Sequence, residues 1–174
     1  MTKHIVISAL GDDKPGIVRS ISKQVLDAGG SITDSRMSVL GDEFALMMLV
    51  DGTDEAIERI TSLLPEMEKN LDLTVIYKET SNADKSESRL PYTVEIVAMD
   101  NPGIVHEVTA FLSSQKVNVE EMATSSYPAA HTGTKMFSIE MSISVPGDAN
   151  ISSLKTSFMD FCDEINLDAT LSAY

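Results

Sequence analysis

The stretch Asp13-Lys14-Pro15-Gly16-Ile17-Val18 decides the fold, because Asp100-Asn101-Pro102-Gly103-Ile104-Val105 repeats it 87 positions later with one change in six. A strand-like apolar run precedes each copy and a helix-like run follows it. Both hexapeptides read as strand-to-helix corners, and the chain reads as two versions of one small domain.

Ahead of the first corner, Ile5, Ile7 and Ala9 alternate with Val6, Ser8 and Leu10, the period of a strand. Pro15 has its φ preset and no N–H to lose, which suits the first turn of a helix. Ile17, Val18, Ile21, Val25 and Ala28 then recur at helical spacing. Gly29-Gly30 supplies the positive φ that stops the helix. Residues 31–40 form a second strand, Gly41-Asp42 a turn and residues 44–50 a third strand. Thr53 and Asp54 cap a second helix with Ile57, Ile60, Leu63, Leu64, Met67 and Leu71 on its apolar face. Pro65 is expected to kink it. Residues 73–77 form the fourth strand.

The second copy follows the same order. Strands are expected at residues 92–98, 117–124, 137–145 and 168–172, with a helix over 102–115. Asn150 or Ser152 caps a last helix that turns Leu154, Phe158, Phe161, Cys162 and Ile165 inward. Each half is β-α-β-β-α-β, the ferredoxin-like order. The fold class is therefore α+β: two antiparallel four-stranded sheets, each with two helices on one face. The predicted domains are 1–80 and 90–174, joined by a linker at 81–89 that contains almost nothing apolar.

Charge and composition narrow the function. The net charge is −14, of which residues 1–80 carry −6 and residues 90–174 carry −8. Neither half offers the basic face that phosphate neutralisation needs, so direct binding to nucleic acid is not expected. No apolar run approaches the ~18 residues of a membrane span. The single cysteine excludes an internal disulfide framework and suits a reducing cytoplasm. Cys162 reads as a buried thiol. His4, His106 and His131 lack metal-ligand spacing, and Glu120-Glu121 reads as a solvated edge rather than an acid/base pair. These residues give no catalytic constellation and imply no cofactor.

Two features distinguish the copies. In residues 137–145 the outer positions are Ser138, Glu140, Ser142 and Ser144, a wet sheet face. In residues 44–50 they are Ala45, Met47 and Leu49, so both faces are apolar. Met47 and Leu49 are expected to meet the other domain or another subunit, unless neighbouring side chains alone shield them. The second feature is the stretch 127–134, six residues longer than its counterpart at Gly41. A loop of that length is functional or merely mobile.

The corner itself has chemistry to offer. The first N–H groups of a helix lack intrahelical partners and carry the positive end of its dipole. With glycine in place, a carboxylate can approach the N–H groups of Gly16, Ile17 and Val18, or of Gly103, Ile104 and Val105. Asp13 and Asp100 can accept hydrogen bonds from an ammonium group. Donors for a carboxylate beside an acceptor for an ammonium describe an α-amino acid. Ser31 and Asn118, at matching strand starts, can add polar contacts. The same hexapeptide also serves as an ordinary helix corner, so both readings stand.

The repeated Asp-x-Pro-Gly-Ile-Val corner within β-α-β-β-α-β resembles the ACT domain, a regulatory amino-acid-binding module. Two such domains with no fused enzyme, together with Asp34-Ser35-Arg36-Met37 and Leu40-Gly41-Asp42-Glu43-Phe44, resemble the glycine cleavage system transcriptional repressor family. The resemblance covers about the whole chain. It implies a non-enzymatic regulator that responds to glycine or a similar amino acid. Such a protein acts on a DNA-bound transcriptional activator rather than on DNA; separately, the apolar outer face at Met47 and Leu49 favours a homodimer or a tight domain pair. The resemblance places the ligand site at Asp13, Gly16, Ile17, Val18 and Ser31, and at Asp100, Gly103, Ile104, Val105 and Asn118, with the ligand sandwiched between adjacent ACT domains. Amino-acid-binding ACT domains often carry Asn at the positions of Asp13 and Asp100, and His at those of Gly11 and Ala98. Asn118 keeps the usual strand-two Asn and Ser31 does not, so the second site is the nearer match. The alternative is a structural protein-interaction module without a small-molecule ligand.

Overall fold

A computed structural model describes residues 2–81 and 88–174. The chain divides into two compact units, Met1–Asp84 and Lys85–Tyr174. The first contains β1 (Thr2–Asp12), α1 (Ile17–Asp27), β2 (Ser31–Leu40), β3 (Glu43–Thr53), α2 (Asp54–Leu71) and β4 (Leu73–Thr80). The second contains β5 (Arg89–Met99), α3 (Ile104–Ser114), β6 (Asn118–Pro128), β7 (Lys135–Pro146), α4 (Ile151–Glu164) and β8 (Asp168–Ala173). The strand orders are β2-β3-β1-β4 and β6-β7-β5-β8, antiparallel throughout. Most of the linker expected at 81–89 lies outside the described residues; Arg89, its last member, already belongs to β5.

One face of each sheet is buried under its two helices. In the first unit Ile5, Ile7, Phe44, Met48 and Val50 meet Ile17, Ile21, Val25, Ile57, Ile60, Leu64 and Met67. In the second, Val94, Ile96, Ile139 and Ile143 meet Val108, Leu112, Leu154, Phe158 and Cys162. There Phe111 stacks on Phe161 with ring centroids 4.7 Å apart and tilts against Phe158 at 5.7 Å.

Local chemistry sets the helix ends. Thr53 accepts a hydrogen bond from the Ala56 N–H at 3.2 Å, and Asn150 does the same for Ser153 at 3.0 Å. After α1, Gly29 has φ 88°; its N–H donates to Leu26, and that of Gly30 to Val25. This is the Schellman pattern that closes a helix. Arg59 of α2 donates twice to the Ala28 carbonyl at the same end.

Several expectations are corrected. Helix α2 passes through Pro65 without a break. The proline stands on the exposed side, where water can take the carbonyl it leaves without a donor. Pro15 and Pro102 precede their helices, which begin at Ile17 and Ile104. Val18 is 41% exposed and Ile165 is exposed, so neither belongs to its core. The stretch 127–134 is a longer connection, as expected, but its first two residues belong to β6. Tyr127 and Pro128 pair with Met136 and Lys135, and the tip is closed by Ala129 N–H to Thr134 O and Gly133 N–H to Ala129 O.

Candidate functional site

Each corner is a tight turn into a helix. The Ile17 N–H points back at the Lys14 carbonyl at 3.4 Å, with Pro15 and Gly16 between them. Gly16 has φ 93° and ψ −1°, the third position of a type II turn, where an L-residue is strained. Gly103 repeats it with φ 98° and ψ −10°. The first helical hydrogen bonds are Ser20 N–H to Gly16 O at 2.9 Å and Glu107 N–H to Gly103 O at 3.0 Å. Among the described residues no side chain caps either helix, and a Cβ added at either glycine would meet nothing within 4 Å. Open space therefore stands beside both glycines, while the Ile17 N–H is already turned to the Lys14 carbonyl. The side chains of Ile17 and Ile104 point into the cores and cannot serve a ligand.

The two acids differ. Asp13 is exposed, and its backbone N–H donates to Asp42 O at 3.1 Å. Nearby, Lys14 Nζ lies 3.6 Å from Asp12 and 3.7 Å from Asp72. Asp100 is already engaged: its Oδ2 accepts from Lys135 Nζ at 2.8 Å and from Ser126 Oγ at 2.9 Å. The bond from Lys135, with help from Ser126, holds the Asp100 carboxyl below its ordinary range. Its backbone N–H also donates to Lys135 O, which ties the corner to the β6–β7 hairpin. Sequence reading missed this cation because Lys135 follows the corner by 35 residues and stands just past the stretch read as a loop.

The structure does not gather the expected sites within either unit. Ser31 pairs with Asp51, and Asp51 with His4, at the start of β1. The corner lies beyond Asp12, eight residues further along that strand, or about 26 Å away at the usual rise. Asn118 pairs with Ser144, opposite Pro91, equally far from Gly103. The physical reason is the helix between them, which carries the chain back to the opposite end of the strands. A corner can share a ligand with Ser31 or Asn118 only if another ACT unit supplies one of the two.

Glu120 and Glu121 are exposed on the edge strand β6, and around Asn118 that edge carries a polar network. The register shifts between Val119 and Glu121, a β-bulge at Glu120. Glu120 Oε1 accepts from Asn118 Nδ2 at 2.8 Å and from Ser144 Oγ at 2.6 Å. Arg89 donates to Ser144 Oγ at 3.0 Å and to the carbonyls of Ser144 and Lys116. Ser144 is the buried polar residue among those described. The first unit has a bulge at the same place, between Ile32 and Asp34, where His4 Nδ1 lies 2.6 Å from Asp51 Oδ1. Cys162 is fully buried, and loss of hydration, with a smaller push from Asp163, raises its thiol to about 11. Among the described residues no group of His, Cys, Asp and Glu is arranged to hold a metal, and no helix is long and apolar enough to cross a membrane.

Comparison with known proteins adds to this geometry. A family model of the ACT domain matches residues 3–78. The glycine cleavage system transcriptional repressor of Escherichia coli (strain K12) is 30% identical over 169 residues, 97% of this chain and 89% of that protein. A solved structure assigned as a glycine cleavage system transcriptional repressor superposes with a TM-score of 0.77 at 28% identity, covering 100% of this chain and 98% of that one. A protein from Galdieria sulphuraria shares the fold, with a TM-score of 0.80 at 24% identity over the whole chain. With two ACT-type units spanning its length and a full-length relative at this identity, the chain belongs to the glycine cleavage system transcriptional repressor family.

Proposed function

We propose that this protein is a non-enzymatic, amino-acid-responsive regulator of the glycine cleavage system, acting in the cytoplasm through contact with a DNA-bound transcriptional activator. The observation that carries the reading is the pair of uncapped helix starts. No side chain among the described residues caps α1 or α3, and beyond the adjoining residues nothing lies within 4 Å of where a side chain on Gly16 or Gly103 would be. A carboxylate placed there gains hydrogen bonds and the dipole of α1 or α3. At the first corner, the Asp13 carboxylate faces solvent and suits the ammonium of the same small zwitterion. Glycine is the smallest amino acid that presents both charged groups to the turn. The acidic surface supports a protein partner over DNA.

Regulation then follows from linkage. An amino acid that changes the affinity for the activator by some factor must have its own affinity changed by the activator by the same factor. Calorimetry with glycine and serine, with betaine and methylamine as controls lacking one half of the zwitterion, tests ligand capture. Heat or a thermal shift with glycine, and none with the controls, is the expected result. A flat response to every amino acid at millimolar concentration overturns it. Recovery of the activator on immobilised protein, with and without glycine, tests the coupling.

One observation favours the structural alternative for the second unit alone. Asp100 already holds an ammonium, that of Lys135, so the second corner can act as a fixed joint. The first unit is then the sensor. Loss of glycine binding in Asp13→Ala but not in Asp100→Ala is the expected pattern.

A further inference from the structure

The outer face of the first sheet is a grid of rows, since directly paired residues share a face. Read from β4 through β1 and β3 to β2, the rows are Thr74-Leu10-Ala45-Ser38, Ile76-Ser8-Met47-Arg36 and Lys78-Val6-Leu49-Asp34. Its middle is apolar and open: Leu10 and Met47 are each 51% exposed and Ile76 is 66% exposed. A groove of about 510 Å³ runs over Ser8 between Leu10, Met47 and Ile76. Leu49 is half-buried by its neighbours, but Met47 is not. The matching face of the second unit is wet, with Glu95 directly opposite Glu140 and flanked by Ser138 and Ser142. The apolar face is thus a property of the first unit and not of the fold.

We propose that this face is a two-fold self-association surface, covered by the same face of a second copy of this chain. The charges favour that occupant. Aligned sheet packing keeps the strands of two sheets within about 30° of one another. A two-fold axis parallel to the strands, between β1 and β3, lays each row over its own reverse. Lys78 then stands over Asp34 of the second copy, and Asp34 over its Lys78. Met47 stands over Ser8 of the second copy, at the floor of the groove, while Leu49 meets Val6 and Leu10 meets Ala45. Arg36, which pairs with Asp34 of its own chain, then stands over Ile76 of the second copy, while the row of Lys78 and Asp34 meets its own opposite charges across an apolar centre, as an isologous interface requires. The size also suits. Strands of 8 to 11 residues at about 3.3 Å per residue, four abreast at about 4.8 Å, present roughly 630 Å². A standard interface buries about 800 Å² per partner.

The test is sedimentation velocity of the full chain across a hundredfold concentration range, with thermal melts to confirm that each variant is folded. The parent is expected to be dimeric at high concentration, and Met47→Lys monomeric with its melt retained. Lys78→Glu alone and Asp34→Lys alone should each weaken association at least tenfold, through two like-charged contacts per dimer. Mixed in equal amounts they should associate as the parent does. In a mixed pair the introduced glutamate faces the introduced lysine on one side, and the native Asp34 faces the native Lys78 on the other. A parent that is monomeric throughout, or a Met47→Lys dimer as strong as the parent, overturns the surface. Single variants whose mixture stays as weak as each alone overturn the two-fold arrangement.

Discussion

Replacing Gly16 or Gly103 by alanine isolates the conformational demand of the corner. An added Cβ meets no atom within 4 Å at either position, so packing contributes nothing. What remains is φ, 93° and 98°, in the region where an L-residue costs about 1–2 kcal/mol. Reduced freedom of the unfolded chain offsets about 0.4–1 kcal/mol of that. The net loss is about 1 kcal/mol per corner. In urea, with a slope of about 1–1.5 kcal/mol per molar for a small domain, the midpoint of the affected unit falls by about 0.7–1 M at unchanged slope. Gly30→Ala is the contrast. Its φ is not positive, but its Cβ would lie 2.6 Å from Ile60 Cδ1, 3.0 Å from Val25 and 3.1 Å from Val50. Overpacking there costs about 1–3 kcal/mol. Circular dichroism of the three variants during urea unfolding measures these losses. A neutral Gly16→Ala, or one that costs more than about 3 kcal/mol, would refute the assignment of its cost to backbone strain alone. The same strain makes bulky substitutions at Gly103 poor probes of ligand access, although the space above it is open.

The Asp100 carboxyl should titrate below the ordinary aspartate range by NMR, and Lys135→Met should return it upward. A depressed folded-state value stabilises the fold above the unfolded value, and that contribution disappears as pH falls through the folded value. The tie between the second corner and its hairpin therefore opens in acid, not in base. With its thiol near 11 and fully buried, Cys162 should resist a thiol reagent at neutral pH until the second unit unfolds; rapid labelling of the native protein contradicts this. Phe158→Ala removes a fully buried ring that touches Phe111, and should cost about 3–5 kcal/mol in chemical unfolding. A loss under about 1 kcal/mol would mean that the α3–α4 core collapses to fill the gap.

The element order was legible because it rests on short-range rules. Ile5, Ile7 and Ala9 alternate, Ile21 and Val25 fall one helical turn apart, and Thr53 and Asn150 cap where capping residues should. The corner was legible for the same reason: a Pro-Gly pair fixes its own turn. What could not be read was which of the ten expected site residues would meet. Asp13, Gly16, Ile17 and Val18 lie together because they are nearly consecutive. Ser31 and Asn118 lie at the far end of their sheets because α1 and α3 carry the chain back before each strand begins.

By itself, then, the sequence determined the twofold βαββαβ pattern, the glycine turns and the apolar outer positions Met47 and Leu49, since each depends on residues within a turn or a strand of one another. The tertiary structure alone decided that Lys135 closes on Asp100 from 35 residues away and that Arg89 reaches Ser144 across 55. It alone set Lys78 and Asp34 at the two ends of one row. Such contacts depend on strand register and bulges, which follow from how the whole sheet satisfies its hydrogen bonds and buries its inner face, and no local spacing encodes them.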